Sequence, residues 1–176
     1  MECAGIRQSE MEQRMAEVLA AAGLEGLETC PVKSLSGGQK QLLAVAGALA
    51  VRPAVLIADE ATSMLDPEAR RRLLELLKSL QTGGMTVIHI TQLLEETAHA
   101  CRIWALEEGG LVFDGRPDDF FYGSVNAGCG ETRSPCKAAG LRPPLTVAIA
   151  ERLKAKGLLA DRFPVSPEDL EKAVSA

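Results

Sequence analysis

Apolar residues recur at helical spacing near the start of the chain, at Met11, Met15, Val18, Leu19 and Ala22. The spacing predicts an amphipathic helix. Ser9-Glu10-Met11-Glu12 before it has the S-x-x-E form of a capping box, and Gly23 stands where a helix would end. After Cys30-Pro31, Ser36 reads as the N-cap of a second helix running to about Val51, where Arg52-Pro53 stops it. Ala54 to Ala58 is a short unbroken apolar run, the pattern of a parallel strand buried on both faces. Asp66-Pro67 opens a third helix, with Leu73, Leu74, Leu76, Leu77 and Leu80 toward the core and Gly83-Gly84 at its end. Thr86 to Thr91 is a second β-rich run, so strand, helix and strand predict a parallel pair in an α/β fold.

The pattern continues with a helix over 93–100, a strand over 103–106, a turn over 107–110 and a strand over 111–113, together a hairpin. From Gly123 to Gly140 the chain is rich in Gly, Ser, Asn and Thr, and reads as a flexible linker. A small helical tail follows. One helix is expected from about Pro144 to Lys156, and another is capped by Ser166-Pro167-Glu168-Asp169.

Composition narrows this only a little. The 176 residues are 47% hydrophobic and 24% charged, enough apolar material for a core without covalent staples. No apolar run reaches the length of about 18 residues that would read as a membrane-spanning helix. A net charge of −5 and no basic stripe argue against a nucleic-acid partner. Cys3, Cys30, Cys101, Cys129 and Cys136 have no C-x-x-C spacing and read as reduced thiols rather than a disulfide or zinc framework.

Chemistry concentrates in two places. Leu35-Ser36-Gly37-Gly38-Gln39 puts two glycines in the first turn of a helix, leaving backbone N–H groups open beside its partial positive charge. Such a start can bind an anion, with the Ser36 hydroxyl as a further donor; it can equally be a plain capping motif. Val55-Leu56-Ile57-Ala58-Asp59-Glu60 sets two acids at the C-terminal end of a strand, where ligands of α/β sheets bind. One acid there can hold Mg²⁺ through water while its neighbour polarises an attacking water; a solvated strand end is the plainer alternative. Asp66, next to Ser63-Met64-Leu65, is a helix cap whatever else it does.

In order and spacing these segments resemble the ABC ATPases over about Ser9 to Tyr122. Leu35 to Gln39 is similar to the family's signature sequence, Val55 to Glu60 to its Walker B strand, and Ser63 to Asp66 to its D-loop. The resemblance implies part of a P-loop NTPase fold, with ATP and Mg²⁺ as cofactors. Residues 1–52 would be part of the helical subdomain, 53–122 the C-terminal part of the ATPase core, 123–140 a linker and 141–176 a small helical extension. It also implies a head-to-tail pair with a second ATPase subunit, the same or different, and integral membrane partners at the cytoplasmic face. Ser36, Gly37, Gly38 and Gln39 would then bind the γ-phosphate of the partner's ATP, with Asp66 beside them. Asp59 would position Mg²⁺ and Glu60 would act as general base.

Departures from the family pattern shape the expectation. G-x-x-x-x-G-K-[ST] occurs nowhere in the sequence. The resemblance therefore implies the C-terminal portion of a subunit whose opening segment lies outside it, and which alone is inactive. Gln92 takes the place of the family's switch histidine; its amide can donate a hydrogen bond to the γ-phosphate but carries no proton in exchange. His89 lies within the strand and reads as structural, and Ala61 stands where proline is common. The tail, Gly140-Leu141-Arg142-Pro143-Pro144 and Val165 to Leu170, resembles the extension of energy-coupling factor transporter ATPases, importers of vitamins and metal ions. Two other functions remain open at this level. One is a non-catalytic subunit lending only its signature face, and the other is a soluble ABC ATPase of DNA repair or translation.

Overall fold

The computed structural model describes residues 7–123, 133–159 and 163–175. The chain divides into two compact units, Met1–Gln92 and Leu93–Ala176. In the first, α1 (Gln8–Ala21) is followed by a 3₁₀ turn over Val32–Ser34, then α2 (Gly37–Leu49), β1 (Val55–Asp59), α3 (Pro67–Thr82) and β2 (Thr86–Ile90). The expected capping box at Ser9 is not the start of α1. Its N-cap is Arg7, and Ser9 already lies inside the helix, where a serine cannot adopt the extended backbone a cap requires. Gly23, at φ 66°, ends the helix as expected, because glycine takes the left-handed region without a Cβ penalty.

Leu19, Ala22 and Leu24 pack with Leu42, Val45, Ala46 and Leu49 of α2, Leu56 and Ala58 of β1, and Leu73, Leu76 and Leu77 of α3. Leu74 and Leu80 are half-buried at the margin of this core. Two side chains tie α1 to the end of α2. Arg14 donates to the Ala50 carbonyl at 3.3 Å, and Arg52 to Glu17 at 3.1 Å. Arg52 itself is left-handed (φ 52°), its N–H bonded to the Leu49 carbonyl, which turns the chain out of the helix ahead of Pro53.

β1 and β2 pair in parallel with Val55 opposite Thr86 and Asp59 opposite Ile90. The sequence pattern led us to expect this strand to be buried on both faces, and the structure corrects that. Leu56 and Ala58 face the core, whereas Val55 is 48% and Ile57 62% exposed. The physical reason is that α2 and α3 cover one face of the pair, and no described element of this unit covers the other.

In the second unit, 93–100 was expected as an α-helix but forms only a 3₁₀ segment, Leu94–His99. β3 (Ile103–Glu107) and β4 (Gly110–Gly115) form the expected antiparallel hairpin, with a register shift between Ala105 and Leu106. Then come α4 (Pro117–Tyr122), α5 (Pro135–Ala138), α6 (Leu145–Ala155) and α7 (Pro167–Val174). The core joins Ile103, Phe120, Phe121, Cys136 and Val147, with the Phe113 ring 5.0 Å from Phe120. The linker expectation also changes at its far end. Residues 124–132, with Cys129, lie outside the described residues, but Ser134 caps α5 and Cys136 is fully buried. An apolar thiol sealed in a core orders the backbone that carries it. Ser166 caps α7 by accepting from the Asp169 N–H at 3.1 Å, as its sequence indicates. Lys137 and Glu151 join α5 to α6 at 2.6 Å.

Candidate functional site

All the residues singled out for chemistry lie in the first unit, where they form two groups. The first is the start of α2. Ser36 is its N-cap: the hydroxyl oxygen accepts from the Gln39 N–H at 3.2 Å, and the Ser36 N–H donates to Gln39 Oε1 at 2.9 Å. The capping role of both residues is therefore real. It leaves the N–H groups of Gly37 and Gly38, the first two of the helix, with no helical carbonyl to reach. Around Gly37 there is open space: a Cβ added there would meet nothing within 4 Å. Gly38 differs. Its Cβ would lie 3.4 Å from Ala69 Cβ, 3.6 Å from Leu65 Cδ2 and 3.9 Å from Asp66 Oδ2. A Cβ at Gly38 would be in ordinary contact with the start of α3, so the two helix N-termini stand side by side.

Asp66 caps α3 with one oxygen, Oδ1, which accepts from Glu68 N at 3.0 Å and Ala69 N at 2.9 Å. Glu68 in the first turn accepts from Arg71 and Arg72, and the Arg71 hydrogen bond, then that of Arg72, holds its carboxyl below the ordinary range.

The second group sits at the C-terminal ends of the two strands. Asp59 is the last residue of β1 and is exposed. Glu60 follows in a left-handed conformation (φ 45°), uncommon for a residue with a side chain. Three hydrogen bonds hold it there. Its N–H donates to the Ile90 carbonyl at 2.9 Å, and its carbonyl accepts from Ser63 N at 3.1 Å and Ser63 Oγ at 2.9 Å. Ala61 and Thr62 turn inward and are buried. The Glu60 side chain is left at the sheet end, where Gln92 Nε2 donates to its Oε1 at 2.5 Å. The Gln92 amide, which the sequence reading allowed to donate to a phosphate, is engaged with Glu60 in this structure. His89 lies within β2 opposite Ala58, as its position suggested. Sequence reasoning set Ser63 in the segment similar to the D-loop but gave it no role of its own. Its role as backbone anchor depends on the turn after Glu60, which no local pattern announces.

The arrangement can hold an anion at one place and activate a water at another. Open amides, a helix N-terminus and a hydroxyl suit phosphate oxygens. At the α2 start the open space beside Gly37 leaves room for the oxygens of a phosphate. Asp59 offers a single exposed carboxylate, which suits a cation that keeps most of its waters. No group of three metal-ligating side chains occurs among the described residues, and no described helix is long and apolar enough to cross a membrane.

An open helix start stands beside a second helix cap, and paired acids close a parallel strand, the arrangement that the sequence resemblance implies. Residues 2–63 match the family model described as ABC transporter. Among curated relatives it is 37% identical over 174 residues to the energy-coupling factor transporter ATP-binding protein EcfA1 of Halalkalibacterium halodurans, covering 99% of this chain and 59% of that protein. It is 44% identical over 122 residues to EcfA1 of Ligilactobacillus salivarius, covering 69% and 43%. Among solved structures it is similar to cbiO1 from Clostridium perfringens, described as part of the ABC transporter complex cbiONQ. That match has a TM-score of 0.61 at 32% identity, over 66% of this chain and 47% of the other. The dimeric bacterial ABC transporter cassette MJ0796 matches with a TM-score of 0.58 at 32% identity, over 64% and 49%. The chain therefore spans about half the length of the relatives it matches.

Proposed function

We propose that the chain works as the signature-bearing part of an ATP-hydrolysing motor subunit in an importer of the energy-coupling factor type, one that takes up vitamins or metal ions. The observation that carries this reading is the open start of α2, where a Cβ on Gly37 would meet nothing within 4 Å and Gly38 faces the start of α3. Bound MgATP supplies the phosphoryl group to be transferred and a cation that offsets its charge. Toward it, Ser36 and the amides of Gly37 and Gly38 donate to phosphate oxygens, and the capping box keeps them aligned. Gln39 holds the Ser36 backbone, and Asp66 secures the neighbouring helix start. Asp59 orients a cation-bound water. Glu60 takes a proton from the attacking water. The phosphate gripped at the α2 start belongs to a second ATPase subunit paired head to tail, and membrane subunits receive the resulting motion. The motor lies peripherally on the cytoplasmic face. G-x-x-x-x-G-K-[ST] does not occur in these 176 residues, so by itself the chain should bind ATP weakly.

The test is MgATP hydrolysis by the assembled transporter that carries this chain. Glu60→Gln should abolish turnover while nucleotide still binds; unchanged turnover would remove Glu60 from its role. The alternative, a subunit that lends only its signature face, draws on Gln92 standing in a histidine position. It predicts that Glu60→Gln is silent and Gly37→Val is not.

A further inference from the structure

We infer that Asp66 is a specificity-determining residue of the α2 start: the carboxylate oxygen it does not spend on its own helix weakens the hold of that start on free inorganic phosphate. The inference rests on the proposed function in taking the α2 start as the place where a terminal phosphate is gripped. Its physical basis is the unequal use of the two Asp66 oxygens. Oδ1 takes both cap bonds of α3, from Glu68 N at 3.0 Å and from Ala69 N at 2.9 Å. Oδ2 takes neither, and it lies on the side of α2, where a Cβ on Gly38 would stand 3.9 Å from it. Because residue 38 is glycine, no side chain separates Oδ2 from the first turn of α2. Asp66 is exposed, so water and salt weaken its field without removing it.

Two helix starts side by side gather positive partial charge, and anions of any kind are drawn to them. Oδ2 opposes that pull with a negative charge that only accepts hydrogen bonds. The opposition is unequal between phosphates. A terminal phosphate of MgATP arrives with its charge partly offset by the cation and tied to a nucleotide held elsewhere, so Asp66 takes little from its binding. Free phosphate has neither advantage and meets Oδ2 with its whole charge. Asp66 thereby lets the α2 start grip the phosphate before hydrolysis and release it afterwards.

The test uses the assembled transporter, free of nucleotide and magnesium, with inorganic phosphate as the probe and phosphorus NMR line broadening as the measure of binding. Asparagine and serine cap helices about as well as aspartate, so Asp66→Asn and Asp66→Ser should remove the charge and leave the melting temperature nearly unchanged. The dissociation constant for phosphate should fall about 5- to 10-fold in Asp66→Ser at low salt, the scale of one like charge a few ångströms away at a protein surface. It should fall further in Asp66→Asn, whose amide adds a donor. Both gains should shrink as salt approaches about 1 M, where charges are screened beyond about 3 Å. In steady-state hydrolysis the same variants should be inhibited by lower concentrations of phosphate. Unchanged phosphate affinity in the two variants overturns the inference. So does weaker binding, which would mean that Oδ2 accepts from a phosphate hydroxyl rather than repelling the anion. Either result leaves the motor function standing, since that reading fails separately, on a silent Glu60→Gln.

Discussion

Tyr122 is the one tyrosine in the chain, and its hydroxyl donates to the Pro164 carbonyl at 2.5 Å. Burial, and next the negative charge of Glu151, push its phenol well above the ordinary value. A folded-state pKa raised above the unfolded one means that the neutral phenol is favoured by folding. The stabilisation is complete below the ordinary phenol pKa of about 10 and is lost as pH rises beyond it. Tyrosinate absorbance should therefore stay flat through the ordinary phenol range and appear only as the second unit unfolds; a normal titration curve would contradict the buried placement. The two glycines of the α2 start make a sharper contrast at the same scale. Gly37→Ala meets open space, so urea unfolding should show stability unchanged or raised by up to about 1 kcal/mol. Gly38→Val drives a branched side chain into Leu65 and Ala69, and should cost about 1–3 kcal/mol.

Among elements, α2 and α3 were legible in the sequence because their start signals are local. Ser36 with Gln39, and Asp66 with Pro67, each satisfy helix amides within a few residues, so the letters alone predict the geometry. Replacing either cap by alanine should destabilise the chain by about 1 kcal/mol in chemical denaturation. The same kind of signal misled at Ser9, since S-x-x-E can occur inside a helix as readily as at its start and Arg7 begins α1 two residues earlier. Glu60 was legible as an acid at a strand end but not as a left-handed residue. Its conformation is imposed by hydrogen bonds to Ile90 and Ser63, one of them on another strand. The Gln92 contact was hidden for the same reason, being a product of register between segments 32 residues apart.

At the scale of the molecule, each unit leaves apolar surface uncovered. In the first, Ile57 and Val55 stand on the open face of the β1–β2 pair; in the second, Trp104 is 58% and Leu106 72% exposed on the hairpin. Contiguous exposed apolar faces of this kind mark association surfaces. The isolated chain should self-associate in light scattering, and Ile57→Lys should shift it toward monomer without loss of helical circular dichroism. An unchanged mass distribution would show that this face is not what drives association. The composition of the β1 run conveyed that something covers the strand, as parallel sheets require, but not that the described elements of this unit cover only one of its faces.

The closed ring between Ser36 and Gln39 carries one more implication, for which acceptor may sit at position 39. A glutamate would complete the same reciprocal bond and serve the helix equally well. It would also place a full negative charge within a few ångströms of the pocket over Gly37, where a polyanion would have to arrive. Gln39→Glu should therefore keep the melting temperature of the chain within a degree or two while lowering MgATP turnover in the assembled transporter, so that fold and occupancy part company through a single amide-to-acid exchange.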